Sequence, residues 1–312
     1  MDHRNINTDR QFKSTTGYSK EEFKELYACY EEMYISENGE KYEDYIKDMD
    51  EPPALKTLES SLFFVLFQLK NDLVFDTYGA IFGMNGSTAH NNFKKYRILL
   101  EKTLKKKAVY PKREFKSVEE FETHLYGEDD LLFDGTENRI ERPQDYDLQK
   151  DVYSGKKNCH TDSAMVLSNK KKWIFYLSWL YCGSVHDFGI FKNEFNPEEK
   201  WFNKFNVILD LGFVGFDKFY DAKELFIGFK KPRKSKKNPN PPELTKEQKA
   251  WNKLVSKKRI YVEHAIGGMK RFRILINRCR LKCYKNKNEI IGVCAALWNF
   301  KLHLKSLKIK KN

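Results

Sequence analysis

The chain has 312 residues, 40% of them hydrophobic, and a formal net charge of +13, so it is long enough for one large domain and a smaller one. The charge is uneven: residues 1–53 hold 14 acids and 7 bases, whereas residues 228–312 hold 25 bases and 4 acids. The sequence contains no signal peptide, lipidation motif or apolar run long enough to cross a bilayer, which favours nucleic acid over a membrane surface as the polyanionic partner. The six cysteines form no CxxC pair, which argues against zinc and fits a reducing cytoplasm.

The N-terminal third is predicted to be helical. Residues 1–53 form an acidic segment that ends at a helix-breaking Pro-Pro pair. Residues 54–108 contain three predicted helices, the last two separated by the tight turn Gly83–Gly86, with Ser87 and Thr88 as the N-cap of the third. This is the pattern of a helix-turn-helix DNA-binding domain, although any small helical bundle has such turns and caps. On this interpretation the DNA contacts come from Ser87, Lys94, Lys95 and Arg97.

Residues 109–312 are predicted to form an α/β domain. A short strand ends in an acid at Asp134, and residues 158–179 form a hairpin. A helix begins near Asp187, and a fourth strand ends at Asp210.

The C-terminal part is predicted to be helical and basic. The Lys- and Arg-rich run 230–237 and the prolines after it predict a mobile loop over residues 230–242. A helix from about 245 to 273 carries Glu263, and a last helix, 287–307, packs on the core.

Asp134, Asp210 and Glu263 are candidate metal ligands. Open sheets place their chemistry at strand ends, so Asp134 and Asp210 converge if their strands are neighbours, and the helix of Glu263 can close over them. Carboxylates sharing a site repel unless metal ions neutralise them, and oxygen ligands suit Mg²⁺ or Mn²⁺. Two such ions activate a water or a 3′-hydroxyl and stabilise the leaving oxygen of a phosphodiester. The alternative for Glu263 is a surface salt-bridged helix, since Arg259 and Lys270 lie on about the same face.

Several motifs follow one another in order between residues 55 and 305. They are Asp134-Gly-Thr136, Arg142-Pro143, Tyr153-Ser-Gly-Lys-Lys157, Gly183-Ser-Val-His-Asp187, Leu209-Asp-Leu-Gly-Phe213, Val262-Glu-His264 and Gly267-Gly-Met-Lys-Arg-Phe272. In these motifs the chain resembles the DDE transposases of bacterial insertion sequences, on the branch related to eukaryotic PIF/Harbinger elements.

The resemblance implies an RNase H-like catalytic domain with a two-metal site. It carries over clearly to Asp134 and Glu263. The middle acid is open: the second acid ends the fourth strand in an RNase H-like topology, which favours Asp210, but Asp187 also lies in a motif that looks like the family's. Asp187 would then be an alternative ligand, or simply an acid at a helix N-terminus.

Basic residues of the same motifs are predicted to contact DNA. Related insertion-sequence enzymes have Tyr, two residues, Arg, three residues, Glu, six residues and Lys; Arg259, Glu263 and Lys270 fit this spacing, and Ser256 replaces the Tyr. The predicted contacts in this part of the chain are Arg259, Lys270, Arg271, Arg273, Lys156 and Lys157.

The function that the resemblance implies is that of a transposase, which binds terminal inverted repeats and cuts and joins DNA with two Mg²⁺ ions, for which Mn²⁺ substitutes. The alternatives are an endonuclease without strand transfer and a transposase-derived DNA-binding protein without activity. The implied partners are double-stranded DNA at transposon ends and target, and further copies of the chain in a homodimer or larger synaptic complex. The expected location is the cytoplasm, at the nucleoid in a bacterium, or the nucleus of a eukaryotic host.

Overall fold

The computed structural model describes residues 1–232, 234 and 238–311 and divides into two compact units. The first unit comprises Met1–Tyr110 and Gly268–Asn312, and the second comprises Pro111–Gly267. The observed boundary is close to the predicted one at residue 108. Residues 268–312, however, group with the N-terminal helices instead of the α/β unit. Residues 233 and 235–237 of the predicted loop 230–242 lie outside the described residues.

The α-helices are numbered in chain order. They are α1 (Asp9–Thr16), α2 (Lys20–Asn38), α3 (Tyr42–Tyr45), α4 (Leu58–Asn71), α5 (Phe75–Phe82), α6 (Gly86–Lys106), α7 (Val118–His124), α8 (Tyr146–Asp151), α9 (Asp187–Glu194), α10 (Lys246–Met269) and α11 (Tyr284–Lys311). No helix of the described residues has the length and apolar character needed to cross a membrane.

The first unit is an all-helical bundle around α4. This helix is buried on nearly every side from Leu58 to Leu69, as its continuous apolar sequence predicts. The acidic N-terminal segment is part of the bundle, because the Phe12 ring packs 6.1 Å from that of Phe63. The last helix also belongs here, since the buried Tyr18 hydroxyl donates a hydrogen bond to the Leu297 carbonyl of α11 at 2.5 Å.

The turn between α5 and α6 is as tight as predicted, but its cap differs. Gly83 ends α5 with a φ of 72°, a left-handed conformation that glycine adopts without strain. Asn85 caps α6, because its side chain accepts a hydrogen bond from the Thr88 backbone N–H at 2.8 Å. Ser87 therefore lies inside the helix, and the predicted Ser87–Thr88 cap is wrong by two residues.

In the part of the chain that the structure describes, the second unit is built on a seven-stranded sheet. Its strands are β1 (Asp130–Arg139), β2 (Tyr153–Ser154), β3 (Cys159–Ser168), β4 (Ile174–Leu177), β5 (Tyr181–Cys182), β6 (Phe202–Ile208) and β7 (Ala222–Phe226). The predicted hairpin is present as the antiparallel pair β3 and β4. The main order is β2-β3-β1-β6-β7, in which β1 pairs antiparallel with β3 and parallel with β6, and β6 pairs parallel with β7.

Aromatic side chains fill the core of the second unit. Phe133 of β1 packs against Phe191 of α9 at 5.0 Å and against Phe202 of β6 at 5.8 Å. These rings fix α9 against the sheet through large apolar contacts. The N-terminus of α9 is thereby held beside β1, where Asp134 lies.

Candidate active site

Asp134 on β1 and Asp210 just after β6 occupy equivalent positions along two neighbouring parallel strands. The last parallel pair of β1 and β6 is Leu132 with Ile208, and each acid comes two residues later in the chain. The sequence predicted that Asp134 ends a strand, but it lies in the middle of β1. The strand continues because Asp134 still pairs antiparallel with Val166 of β3 after the pairing with β6 has stopped.

Asp210 is held by the turn that follows β6. Its side chain accepts a hydrogen bond from the Gly212 backbone N–H at 2.7 Å and caps a single 3-10 turn, Leu211–Phe213. The backbone therefore orients this carboxylate at the end of β6, where its charge acts on Asp134.

Asp187 approaches β1 next to Asp134 from the N-terminus of α9. It is the first residue of this helix, and its carboxylate lies against Gly135: a Cβ on Gly135 would come within 2.0 Å of Asp187 Oδ1. Lys156 Nζ lies 3.6 Å from Asp187 Oδ2. The residue after Asp134 thus has to be glycine for the Asp187 carboxylate to pack where it does.

Arg259 connects Glu263 with Asp134. One guanidinium nitrogen, Nη2, lies 3.3 Å from Glu263 Oε1 and 3.6 Å from Asp134 Oδ2. The first contact follows from the i, i+4 spacing on α10, and the second from the placement of α10 against the sheet. The Asp134 side chain is 16% exposed and that of Glu263 is 53% exposed, so Arg259 links an acid of the interior with one at the surface.

The pKa values of Asp134 and Asp187 are raised by burial and by neighbouring acids. Burial raises the pKa of Asp134 to about 6, with Arg259 acting against the shift and the charges of Asp210 and Asp187 adding to it. Burial also raises the pKa of Asp187, where Lys156 opposes the shift and Asp210 adds to it. The negative charges of Asp134, Asp187 and Asp210 are therefore only partly balanced by Arg259 and Lys156, which is typical of a functional site.

Comparison with protein families matches residues 133–299 to the DDE superfamily endonucleases, a span that contains Asp134, Asp187, Asp210 and Glu263. The chain belongs to the DDE superfamily endonucleases. The resemblance to this family drawn from the motifs is therefore confirmed.

This DDE family member also has a similar curated protein. It is 34% identical over 181 residues to a probable transposase for insertion sequence element IS702 from Microchaete diplosiphon. The match covers 56% of this chain and 58% of the relative, so the chain spans little more than half of that protein's length. No solved structure matches the chain.

The donor set of this DDE site fits a divalent cation. DDE superfamily nucleases generally use divalent metals, and the oxygen-only donors and uncompensated charge around Asp134 suit a hard ion such as Mg²⁺. Among the residues that the structure describes, no three His, Cys, Asp or Glu side chains are grouped closely enough to share an ion. A bound cation would have to draw the carboxylates together and displace Arg259 from between two of them.

Most of the predicted DNA-binding side chains lie on the surface of their own unit. In the first unit these are Ser87, Lys94 and Lys95 on α6, and Arg271 and Arg273 after α10. In the second unit they are Lys156 and Lys157 between β2 and β3. Lys270 is half-buried. Exposure makes these contacts possible, and they stay predictions.

The prediction that Arg97 contacts DNA is wrong. It is only 1% exposed, and its Nη2 is 2.6 Å from Glu289 Oε2 of α11. The sequence placed Arg97 on the basic face of α6, but the face it occupies is covered by α11. The side chain is therefore part of the bundle interior and not of a DNA-binding surface.

Two contacts of the site were missed by the sequence analysis. Arg259 was predicted as a DNA contact and as a salt-bridge partner of Glu263 but not as a partner of Asp134, and Lys156 was not connected with Asp187. The i, i+4 spacing was the signal for the salt bridge with Glu263. The sequence contains no signal for the Asp134 and Asp187 ends of these contacts, because they join residues more than 30 positions apart.

Proposed function

We propose that this chain is a DNA transposase that binds the terminal inverted repeats of its own element and catalyses metal-dependent strand cleavage and strand transfer. The observation that carries the proposal is the placement of Asp134 beside Asp210, with Glu263 joined to Asp134 through Arg259. Membership of the DDE endonucleases and the similarity to a probable transposase support it.

The catalytic unit is proposed to be RNase H-like. Its sheet runs β4-β3-β1-β6-β7, with antiparallel pairs on one side of β1 and parallel pairs on the other. This order supports Asp210 as the middle acid, since it follows the strand next to Asp134. Asp187 is then a neighbouring acid that Lys156 compensates.

Asp134, Asp210 and Glu263 are proposed to hold two Mg²⁺ ions, for which Mn²⁺ substitutes. When bound, the ions activate a water or a DNA 3′-hydroxyl and stabilise the leaving oxygen of the phosphodiester. Arg259 holds Glu263 towards Asp134 until then, and once released its guanidinium can bind a phosphate.

DNA recognition is proposed to come from α5 and α6 as a helix-turn-helix. Ser87, Lys94 and Lys95 are exposed on α6, the position of a recognition helix in this motif. Double-stranded DNA of the transposon ends and of the target is the proposed partner. Because two ends must be held together, we expect a homodimer or larger synaptic complex.

The experiment compares Asp210→Asn with Asp187→Asn in cleavage of end DNA with Mg²⁺. Asp210→Asn is expected to lower the cleavage rate by at least about 10²-fold, the scale of removing one group that stabilises a transition state. Binding of the same DNA, measured without metal, should stay within about twofold. Asp217→Asn is the matched control, because Asp217 is an exposed acid in the turn region after β6.

The possible results separate the alternatives. Loss of cleavage only in Asp187→Asn would make Asp187 the middle acid, and full cleavage by both variants would remove the site assignment. Joining of pre-cut ends to a plasmid tests strand transfer separately. Cleavage without joining would reduce the function to that of an endonuclease.

A further inference from the structure

An open cleft in the second unit is lined by residues of the segment before α8, of α8, of β2 and of the start of β3. Its volume is about 450 Å³, within the range of roughly 300–1,000 Å³ that is usual for ligand sites. It is lined by Arg142, Tyr146, Gln149, Lys150, Tyr153 and His160. Within the described residues, this lining contains no carboxylate.

Two tyrosine rings of the cleft face solvent. Tyr146 is 69% exposed and Tyr153 is 43% exposed. The Tyr153 ring lies edge-on to His160, with centroids 5.6 Å apart, and Lys150 Nζ lies 4.4 Å from the centre of the Tyr146 ring. Exposed aromatic faces beside a cation are the elements with which proteins bind unstacked bases.

The polar groups of the cleft are arranged around Gln149. Its side-chain oxygen accepts a hydrogen bond from Arg142 Nε at 2.9 Å, and its amide donates to the Pro143 carbonyl at 2.9 Å. Lys150 pairs with Asp147 at 3.2 Å, in an exposed ion pair that contributes little to stability and is easily exchanged. Arg142 is thus held in place, and Lys150 can turn to a phosphate.

The wall of the cleft is hydrogen-bonded to the loop that leads into α9 and Asp187. The Ser184 backbone N–H donates to the carbonyl of Asp151, the last residue of α8, at 3.1 Å. A few residues further along, Lys156 pairs with Asp187. The cleft and the candidate active site therefore share one short stretch of chain on either side of β2.

We infer that this cleft binds one unpaired nucleotide of the DNA substrate next to the phosphodiester that is cut. The base lies on Tyr146 and Tyr153, and its phosphate lies on Arg142 and Lys150. The inference rests on the proposed function, because it takes DNA as the substrate of the neighbouring acids.

An unpaired nucleotide fits better than intact duplex or a protein. Bases within a duplex are stacked and leave only their edges and phosphates accessible, so they cannot cover a tyrosine face. A protein anchor would use the apolar rings but not the basic pair, whereas a nucleotide offers both a flat base and an anion.

The test uses the full-length protein without divalent metal and a duplex carrying one unpaired 2-aminopurine, compared with the same duplex fully paired. The wild type should bind the unpaired form more tightly and quench its fluorescence. Tyr153→Ala and Tyr146→Ala should each weaken that preference by about 5- to 100-fold, the usual range for one stacked base. Tyr153→Phe should keep it, and so should Tyr126→Ala, since Tyr126 is 93% exposed and does not line the cleft.

Equal binding of the two duplexes by the wild type would overturn the inference, and so would an unchanged preference in the Tyr153→Ala and Tyr146→Ala variants. Arg142→Gln is expected to weaken binding of the unpaired form more than that of the paired form. Equal weakening would show a phosphate contact without base stacking, and loss of self-association in Tyr153→Ala would show a protein interface; either result also overturns it. These binding measurements do not require catalysis. Failure of the chain to cut DNA would therefore count against the proposed function and not against this inference.

Discussion

The sequence left two interpretations of Glu263 open, a metal ligand and a partner in a surface salt bridge, and the contacts of Arg259 are consistent with both. The salt bridge exists, but the same guanidinium also reaches Asp134, so it lies between two proposed metal ligands. Its contacts of 3.3 and 3.6 Å are longer than the roughly 2.7–2.9 Å of a strong charge-assisted hydrogen bond. A divalent ion can therefore displace Arg259 at modest cost.

The metal-free protein should gain stability from Asp134→Asn above pH 6. Burial, with the charges of Asp210 and Asp187, raises the pKa of Asp134 from 3.8 to about 6. A carboxyl with the higher pKa in the folded chain destabilises that chain when it ionises, so the penalty is absent below pH 3.8 and complete above pH 6. Its size is at most about 3 kcal/mol, for a shift of about two pKa units.

Urea unfolding of wild type and Asp134→Asn in EDTA at pH 7.5 and pH 4 measures this effect. The variant should be more stable at pH 7.5, and the difference should be small at pH 4. A variant that is less stable at pH 7.5, or equally shifted at both pH values, would contradict the electrostatic account of the site.

At the scale of elements, the contact of β1 with α9 depends on Gly135. Gly135→Ala should lower the free energy of unfolding by about 1–3 kcal/mol, the usual cost of overpacking, because the new Cβ would come within 2.0 Å of Asp187 Oδ1. Gly155→Ala is the control, since a Cβ there meets nothing within 4 Å. Equal stability of the two variants in thermal unfolding would show that α9 is not held this closely.

The burial of Arg97 between α6 and α11 gives a second prediction for elements. Arg97→Met should lower the free energy of unfolding by about 2–4 kcal/mol, because it leaves Glu289 without its partner. Lys95→Met should change stability by less than about 0.5 kcal/mol and weaken DNA binding instead. Urea unfolding and a DNA titration of both variants measure this. A stable Arg97→Met with impaired DNA binding would restore the original prediction for Arg97.

At the scale of the whole molecule, local signals predicted the elements well and their long-range partners less well. The tight turn at Gly83, the apolar helix α4 and the β3–β4 hairpin follow from glycine, hydrophobic runs and alternation within a few residues. The apolar spacing of α11 predicted a packed helix, but the sequence interpretation placed it in the α/β domain of residues 109–312, whereas it groups with the N-terminal helices. Arg97 was misplaced for the same reason, since α11 is what covers it.

The acids of the candidate site were named from the sequence, and their contacts come from the fold. Asp134, Asp210 and Glu263 were proposed from predicted strand ends and from the order of the motifs, and their roles stay predictions. The level at which Asp134 meets Asp210 depends on strand register, and the position of Asp187 against Gly135 depends on the packing of α9. Neither the strand register nor the packing of α9 can be predicted from local patterns in a single sequence.

The most direct test of the central claim is cleavage of transposon-end DNA by Glu263→Gln with Mg²⁺, beside DNA binding by the same protein. Glu263 is half-exposed, so the change should leave the fold intact while removing one of the proposed metal-binding carboxylates. We predict loss of cleavage with unchanged DNA affinity. Full cleavage by Glu263→Gln would contradict the account.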